Sequence, residues 1–288
     1  ALEFGSQLKV VQAYLRARGK KLKVDVTAFF DFLALNYIPG TRTMLEGVEV
    51  LPPGSLLKVS GREVVRRSWH VEESALNKDP GDLLAEAVRI RLRSDVPVGL
   101  FLSGGLDSTS VACALSALGA RKVRAIVADF GQTGFSESAN AREVCLKLGI
   151  PCDLLRIEPE ATDLASLIEK LVWHGDAPLA DSSSLPVYLL SQATSRHLKV
   201  VLSGDGGDEL FGGYLTYPAT MLAARIPSFL RRYGPALSSL VPQRSIGKRK
   251  VGLFEMLERF LRNLDLPPGA AHFAWNGMFR MEEKLRLI

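Results

Sequence analysis

Cysteine is scarce in this 288-residue sequence: Cys113, Cys145 and Cys152 are all there are, and they form no CxxC pair. An odd number of thiols, with no secretory leader at Ala1-Leu2-Glu3-Phe4, argues against a disulfide framework and points to a reducing, cytoplasmic location. Histidine is scarcer than its chemistry would need, since His70, His174, His197 and His272 show no metal spacing and read as structural. No apolar run approaches the ~20 residues of a membrane span, so no membrane partner is expected. Two familiar glycine signatures are also missing: there is no G-x-x-x-x-G-K-[ST] and no G-x-G-x-x-G turn. Charge is only mildly one-sided, at +5 with a pI of about 9.1. The excess is scattered apart from Arg16/Arg18/Lys20/Lys21/Lys23 and Arg244/Lys248/Arg249/Lys250, which read as solvated faces, so no nucleic acid is expected either.

What is present is an ordinary globular composition, 47% hydrophobic and 23% charged, long enough for one large domain or one domain plus a remnant of another. The most informative stretch runs from Val98 to Ser110, VGLFLSGGLDSTS, and continues into the apolar Val111 to Leu115. A short apolar run, two adjacent glycines and then a longer apolar segment predict strand, tight turn and helix. Such a turn suits a phosphate. Gly104 and Gly105 let backbone N–H groups approach an anion, the helix near Asp107 turns its positive end to the same place, and Ser103 and Ser108 add hydroxyls. A carboxylate at Asp107 would repel a polyphosphate unless a divalent cation lay between them, so Asp107 is read as a Mg²⁺ ligand.

A second stretch, Lys199 to Tyr214 (KVVLSGDGGDELFGGY), repeats the design of strand, Gly/Asp turn and helix. Ser-Gly-Gly-Leu-Asp-Ser after a buried strand resembles the pyrophosphate-binding loop of the PP-loop ATP pyrophosphatases. The two stretches together resemble the synthetase domain of the asparagine synthetase family. The resemblance implies an α/β fold, a parallel five-stranded-type sheet with helices on both faces, and ATP with Mg²⁺ as cofactors. It implies a carboxylate activated on the α-phosphate of ATP with release of pyrophosphate, after which ammonia displaces AMP. It further implies Leu102, Ser103, Gly104, Gly105, Asp107, Ser108, Val127, Ser203 and Gly204 at the nucleotide. Asp107 and Asp208 would take the metal, and Asp107, Asp205 and Asp208 the catalytic roles.

The chain divides into three on this reading. Residues 1–75 resemble the tail of the family's glutaminase domain and its linker, with a helix over Thr27–Leu35 capped by Asp25 or Thr27 and ended by Pro39-Gly40. A hairpin is predicted about Ser60-Gly61. Residues 76–218 alternate strands and helices, which predicts a parallel sheet with ligands at the carboxyl ends of its strands. Helices are expected over Asp82–Arg93, from Ser108, over Glu137–Leu148, Ala161–Trp173 and Leu185–Arg196. Strands are expected to Ser103 and over Val123–Ala128, Asp153–Ile157 and Lys199–Leu202. Residues 219–288 read as a helical extension: Thr220–Ala224, Pro227–Leu240, Leu253–Leu264 and Glu282–Leu287. Cys113, on the apolar helix, is predicted to be core.

The resemblance also has departures. Family members carry an N-terminal cysteine nucleophile for glutamine, whereas no cysteine precedes Cys113 here. A lysine of the family's C-terminal segment has no counterpart, which implies a chain incomplete at both ends, partnered in full length by a glutaminase domain. Asp205 stands where glutamate is usual, and Ala177 replaces the glutamate of the Asp-Glu-Pro loop, here Asp176 to Ser183, whose Asp181 and Ser182 are candidates for the acceptor pocket. These departures keep alternatives open: a β-lactam-synthetase-like or polysaccharide- or peptide-modifying relative, or a catalytically impaired ATP-binding fragment. A tRNA-thiolating relative would need cysteine pairs that are absent. A homodimer is left open.

Overall fold

The computed structural model describes residues 2–61, 63–69, 79–131, 138–157, 163–178, 180–242, 252–279 and 281–287. His70, Lys78, Glu137, Ala161, Leu179 and the Arg244/Lys248/Arg249/Lys250 cluster lie outside them. Helices α1 (Leu8–Ala17) and α2 (Val26–Leu35) come first, followed by an antiparallel hairpin of β1 (Ser55–Ser60) and β2 (Glu63–Ser68). Asp25 caps α2 by accepting from the Ala28 N–H at 2.9 Å. The helix ends at Asn36, whose φ of 66° turns the chain before Pro39 is reached.

The alternating region is α3 (Pro80–Arg91), β3 (Val98–Phe101), α4 (Leu106–Ala117), β4 (Arg124–Asp129), α5 (Ser138–Leu148), β5 (Cys152–Arg156), α6 (Leu164–Gly175), α7 (Ser184–Thr194) and β6 (Val200–Leu202). Four strands of the expected sheet lie among the described residues, all parallel, in the order β5-β4-β3-β6. A parallel sheet flanked by helices buries its strands on both sides, which is why Val98, Gly99 and Leu100 are all buried and read as a continuous apolar run. Leu100, Leu115 and Val127 are the largest fully buried side chains. Gly99 packs closely against its neighbours, and a Cβ there would come 2.6 Å from Leu198 Cδ1 and make that side chain shift.

Beyond the sheet follow α8 (Gly207–Phe211), α9 (Thr216–Arg225), α10 (Ser228–Arg231), α11 (Gly234–Ser238), α12 (Leu253–Arg262), α13 (Pro268–Asn276) and α14 (Met281–Leu287). A second apolar cluster joins Ala223, Leu264, Ala271 and Trp275. Three expectations need correction. Pro227–Leu240 is two short helices, because Pro235 has no N–H to continue the ladder and opens α11 instead. Cys113 is exposed, since the buried side of α4 is taken by Ser108, Val111, Ala112, Ala114 and Leu115. Residues 8–17, for which the reading of a glutaminase-domain tail gave no helix, form α1.

Candidate nucleotide site

The strand order places the site. The chain runs outward from β3 through β4 to β5 and returns to pair β6 on the other side of β3, so the order reverses at β3. A crevice opens beyond the carboxyl ends of the strands at such a switch point. A cleft of about 350 Å³ lies there, lined from β3 by Phe101, Leu102 and Ser103, from β4 by Ile126, Val127 and Ala128, and from the turn after β6 by Ser203, Gly204 and Asp205. Asp107 and Ser108 of α4 complete the polar side.

The first turn is braced from within. Ser108 is buried, and its Oγ accepts from the Ser103 N–H at 3.3 Å and lies 3.0 Å from Ser103 Oγ. Ser103 Oγ in turn accepts from the Gly105 N–H at 3.1 Å. The two hydroxyls expected as ligand donors therefore also shape the loop. Gly104 has a φ of 80°, and a Cβ there would lie 2.6 Å from the Ala141 N and 2.9 Å from Asn140 Cβ, so the first turn of α5 rests on the loop. The N-terminal turns of α4 and α5 thus converge on one side of the cleft, a favourable field for an anion.

The second turn is packed onto the first. A Cβ on Gly204 would lie 2.5 Å from the Ser108 N and 2.8 Å from the Asp107 carbonyl carbon, and one on Gly207 would run into the Asp107 carboxylate. Two glycine turns that are about 95 residues apart in sequence therefore share one contact surface. Asp107 faces the cleft, and no hydrogen bond or ion pair engages its carboxylate among the described residues. Asp205 also faces the cleft and is fixed by Ser203 Oγ, which donates to Asp205 Oδ2 at 2.8 Å. Asp208 lies in the first turn of α8, with its carboxylate against Gly213, and is not among the residues lining the cleft. Nearby, the Tyr214 hydroxyl donates to Glu209 at 2.7 Å, and that bond, with some burial, pushes its pKa up to about 12.

Sequence reasoning missed the apolar walls. Phe130 follows β4, while Val187 and Leu190 face the cleft from α7, and Ser138 opens α5 beside them. Their signal was available: Val187 and Leu190 are three apart on one helical face, and Phe130 follows a strand end at the switch point. The candidates Asp181 and Ser182 are not among the lining residues. Asp181 accepts from the Ser183 N–H at 2.8 Å and from Ser183 Oγ at 2.7 Å, which holds its carboxyl below the usual carboxylate range and fixes the entry to α7.

Residues 81–278 match the family model described as asparagine synthase. Asparagine synthetase [glutamine-hydrolyzing] 1 of Bacillus subtilis is 30% identical over 256 residues, covering 84% of this chain and 40% of that protein. Amidase chyE of Penicillium rubens is 33% identical over 211 residues, 64% of this chain and 31% of that protein. Among solved structures, the glutamine-dependent NAD⁺ synthetase of Acinetobacter baumannii in complex with ADP aligns at 28% identity and a TM-score of 0.34, covering 49% of this chain and 29% of that one. The chain spans about two fifths of the length of the first of these curated relatives. With a family match across most of its length, carried through both glycine turns and the sheet between them, this chain belongs to the asparagine synthase family.

Proposed function

We propose that this chain is the ATP-using part of an amide-forming ligase, which adenylates a carboxylate substrate, releases pyrophosphate and passes the acyl group to ammonia. The observation that carries the reading is the contact of the two glycine turns at the carboxyl ends of adjacent strands β3 and β6, with the unengaged Asp107 carboxylate between them and the cleft. On the same reading, residues 1–75 are the end of a glutaminase domain and its linker, 76–218 the nucleotide-binding domain and 219–288 its helical extension.

The residues present fit ATP with Mg²⁺. The N–H of Gly104 carries no hydrogen bond among the described residues and, with the first turns of α4 and α5, offers donors to phosphate oxygens. Asp107 would hold the cation, and Asp208 would join it after its carboxylate turns away from Gly213. Bound Mg²⁺ supplies neutralisation of phosphate charge. Phe130, Val187 and Leu190 provide an apolar wall suited to a nucleobase, beside the backbone of Val127. Fixed donors aimed at the charge that develops on the phosphate stabilise the transition state without reorganising. Asp205, which lines the same cleft, is the carboxylate assigned to the ammonia step.

A second reading of the acceptor is favoured by one contact. Ser203 ties the short Asp205 side chain back to its own turn at 2.8 Å, which leaves room for an acceptor bulkier than aspartate. The test is pyrophosphate release from ATP and Mg²⁺ with ammonium and a panel of carboxylates. Release that depends on one carboxylate supports the ligase and identifies its acceptor. MgATP binding without release under any carboxylate would reduce the chain to a nucleotide-binding fragment, and no MgATP binding would overturn the reading.

A further inference from the structure

We propose that Asp176 and Lys9 are positioning residues that clamp the N-terminal segment to the α6–α7 connection and thereby hold the α7 wall of the cleft. The proposal rests on the nucleotide reading of that cleft. Among the described residues, the only two non-glycine residues with positive φ are Asn36, at 66°, and Asp176, at 61°. Both sit at this junction. Each closes a helix in the left-handed conformation, Asn36 ending α2 and Asp176 ending α6, so both turns are fixed in direction where the segments meet.

The contacts are specific. Helix α1 has no side-chain cap of its own at Gln7. Its first two N–H groups, of Leu8 and Lys9, instead donate to the Asp176 carboxylate, the second at 3.0 Å. In return Lys9 Nζ donates to the Trp173 carbonyl at 2.7 Å in the last turn of α6, lies 5.0 Å from the centre of the Trp173 ring and is 3.8 Å from Asp176 Oδ1. Each helix end so receives the charge its dipole favours, a carboxylate at the start of α1 and an ammonium at the end of α6. A second tie lies further on, where the Ala180 N–H donates to the Asn36 carbonyl at 2.9 Å. Asp181 then fixes the start of α7, and Val187 and Leu190 of that helix line the cleft. The connection that leads into the wall is therefore hydrogen-bonded to residues 8, 9 and 36, through Asp176 and Ala180.

The test is Asp176→Gly in the full chain, read by hydrogen exchange of the α7 amides and by calorimetry with MgATP. Glycine accepts the left-handed backbone without strain, so this change deletes the carboxylate and spares the turn. We expect α7 exchange to speed up about ten-fold and MgATP affinity to fall by a similar factor, within the usual range of coupling between sites. Asp176→Asn, which keeps one acceptor oxygen and tolerates the turn, should rescue most of both. Asp163→Ala removes the cap at the other end of α6, where Asp163 accepts from the Ala165 N–H at 3.1 Å, and should leave α7 exchange unchanged. Parent-like α7 exchange and MgATP affinity in Asp176→Gly would overturn the proposal. If the parent chain bound no MgATP, the nucleotide reading would have failed, and α7 exchange alone would decide whether the clamp positions the wall.

Discussion

Gly204→Ala probes the contact on which the site depends. The added methyl would sit 2.5 Å from the Ser108 N and 2.8 Å from the Asp107 carbonyl carbon, and both are backbone atoms that cannot rotate away. Restoring ordinary contact at 3.4 Å requires the β6 turn and the start of α4 to part by about 0.9 Å. Overpacking of this kind costs about 1–3 kcal/mol. For a chain of this size each kcal/mol lowers Tm by about 2–4 °C. The effect on chemistry should be larger than the effect on folding, because a misplacement of ~1 Å between reacting groups can cost ~10²-fold in rate. The expected result is a melting point a few degrees lower, weakened MgATP binding and pyrophosphate release reduced by about two orders of magnitude. Gly175→Ala is the control, since nothing lies within 4 Å of a Cβ at that position. Its stability should stay within about 0.5 kcal/mol of the parent. A Gly204→Ala protein with parental melting point and parental nucleotide binding would show that the two turns do not meet as described.

Asp107→Ala should abolish metal-dependent ATP binding and leave far-ultraviolet circular dichroism unchanged; equal MgATP affinity by calorimetry would remove Asp107 from the metal role. Burial, with the neighbouring Cys152, pushes the Cys145 thiol up to about 12, so at pH 8 iodoacetamide should modify the exposed Cys113 and spare Cys145 in the native protein. Labelling of Cys145 at the rate of Cys113, read by peptide mass spectrometry, would contradict that burial. Hydrogen bonds from Ser183 and from Ser166 hold Asp181 and Asp163 below their ordinary values. A depressed folded-state pKa contributes stability that is fully present above the unfolded value of ~4 and is lost as pH falls through the folded value. Asp181→Asn should therefore be less stable than the parent at pH 7 and converge on it as the pH falls through the folded-state value, by a small margin because solvent screens these exposed groups. A constant gap across the titration would refute the linkage.

How much was legible followed from how local each signal is. The β3–α4 turn is written in contiguous residues, a buried run, two glycines and a hydroxyl on each side, and the structure places it as read. The α2 start and the β1–β2 hairpin are local in the same way, through Asp25 and Ser60-Gly61. Helix α1 was missed because its capping residue is not beside it: Gln7 offers nothing, and the carboxylate that satisfies Leu8 and Lys9 comes from Asp176, 168 positions from Leu8. Asp176 and Asp181 were likewise placed in a loop that resembles an acceptor site; the Asp176 carboxylate accepts from the first N–H groups of α1, and that of Asp181 from Ser183, just before α7. A carboxylate has the same letters in both roles, and only its donors distinguish them.

The same distinction bears on the site's own acids. Asp107, Asp205 and Asp208 lie in two similar Ser/Gly/Asp turns, so spacing alone gives them equal standing as metal ligands or reactive groups. The fold separates them by their surroundings. Asp107 is hemmed in by Gly204 and Gly207 and faces the cleft, where any side chain larger than hydrogen at those two positions would displace it. Asp205 is held by Ser203 and also faces the cleft. Asp208 is turned toward Gly213, so a metal role for it requires a side-chain rotation that Asp107 does not need. Glycine at 204 is therefore required by backbone packing from outside the turn and glycine at 207 leaves room for the Asp107 carboxylate, whereas glycine at 104 is required both by its φ of 80° and by the first turn of α5. The packing at Gly204 cannot be read from one turn alone, because it depends on β6 returning to the side of β3 opposite β4.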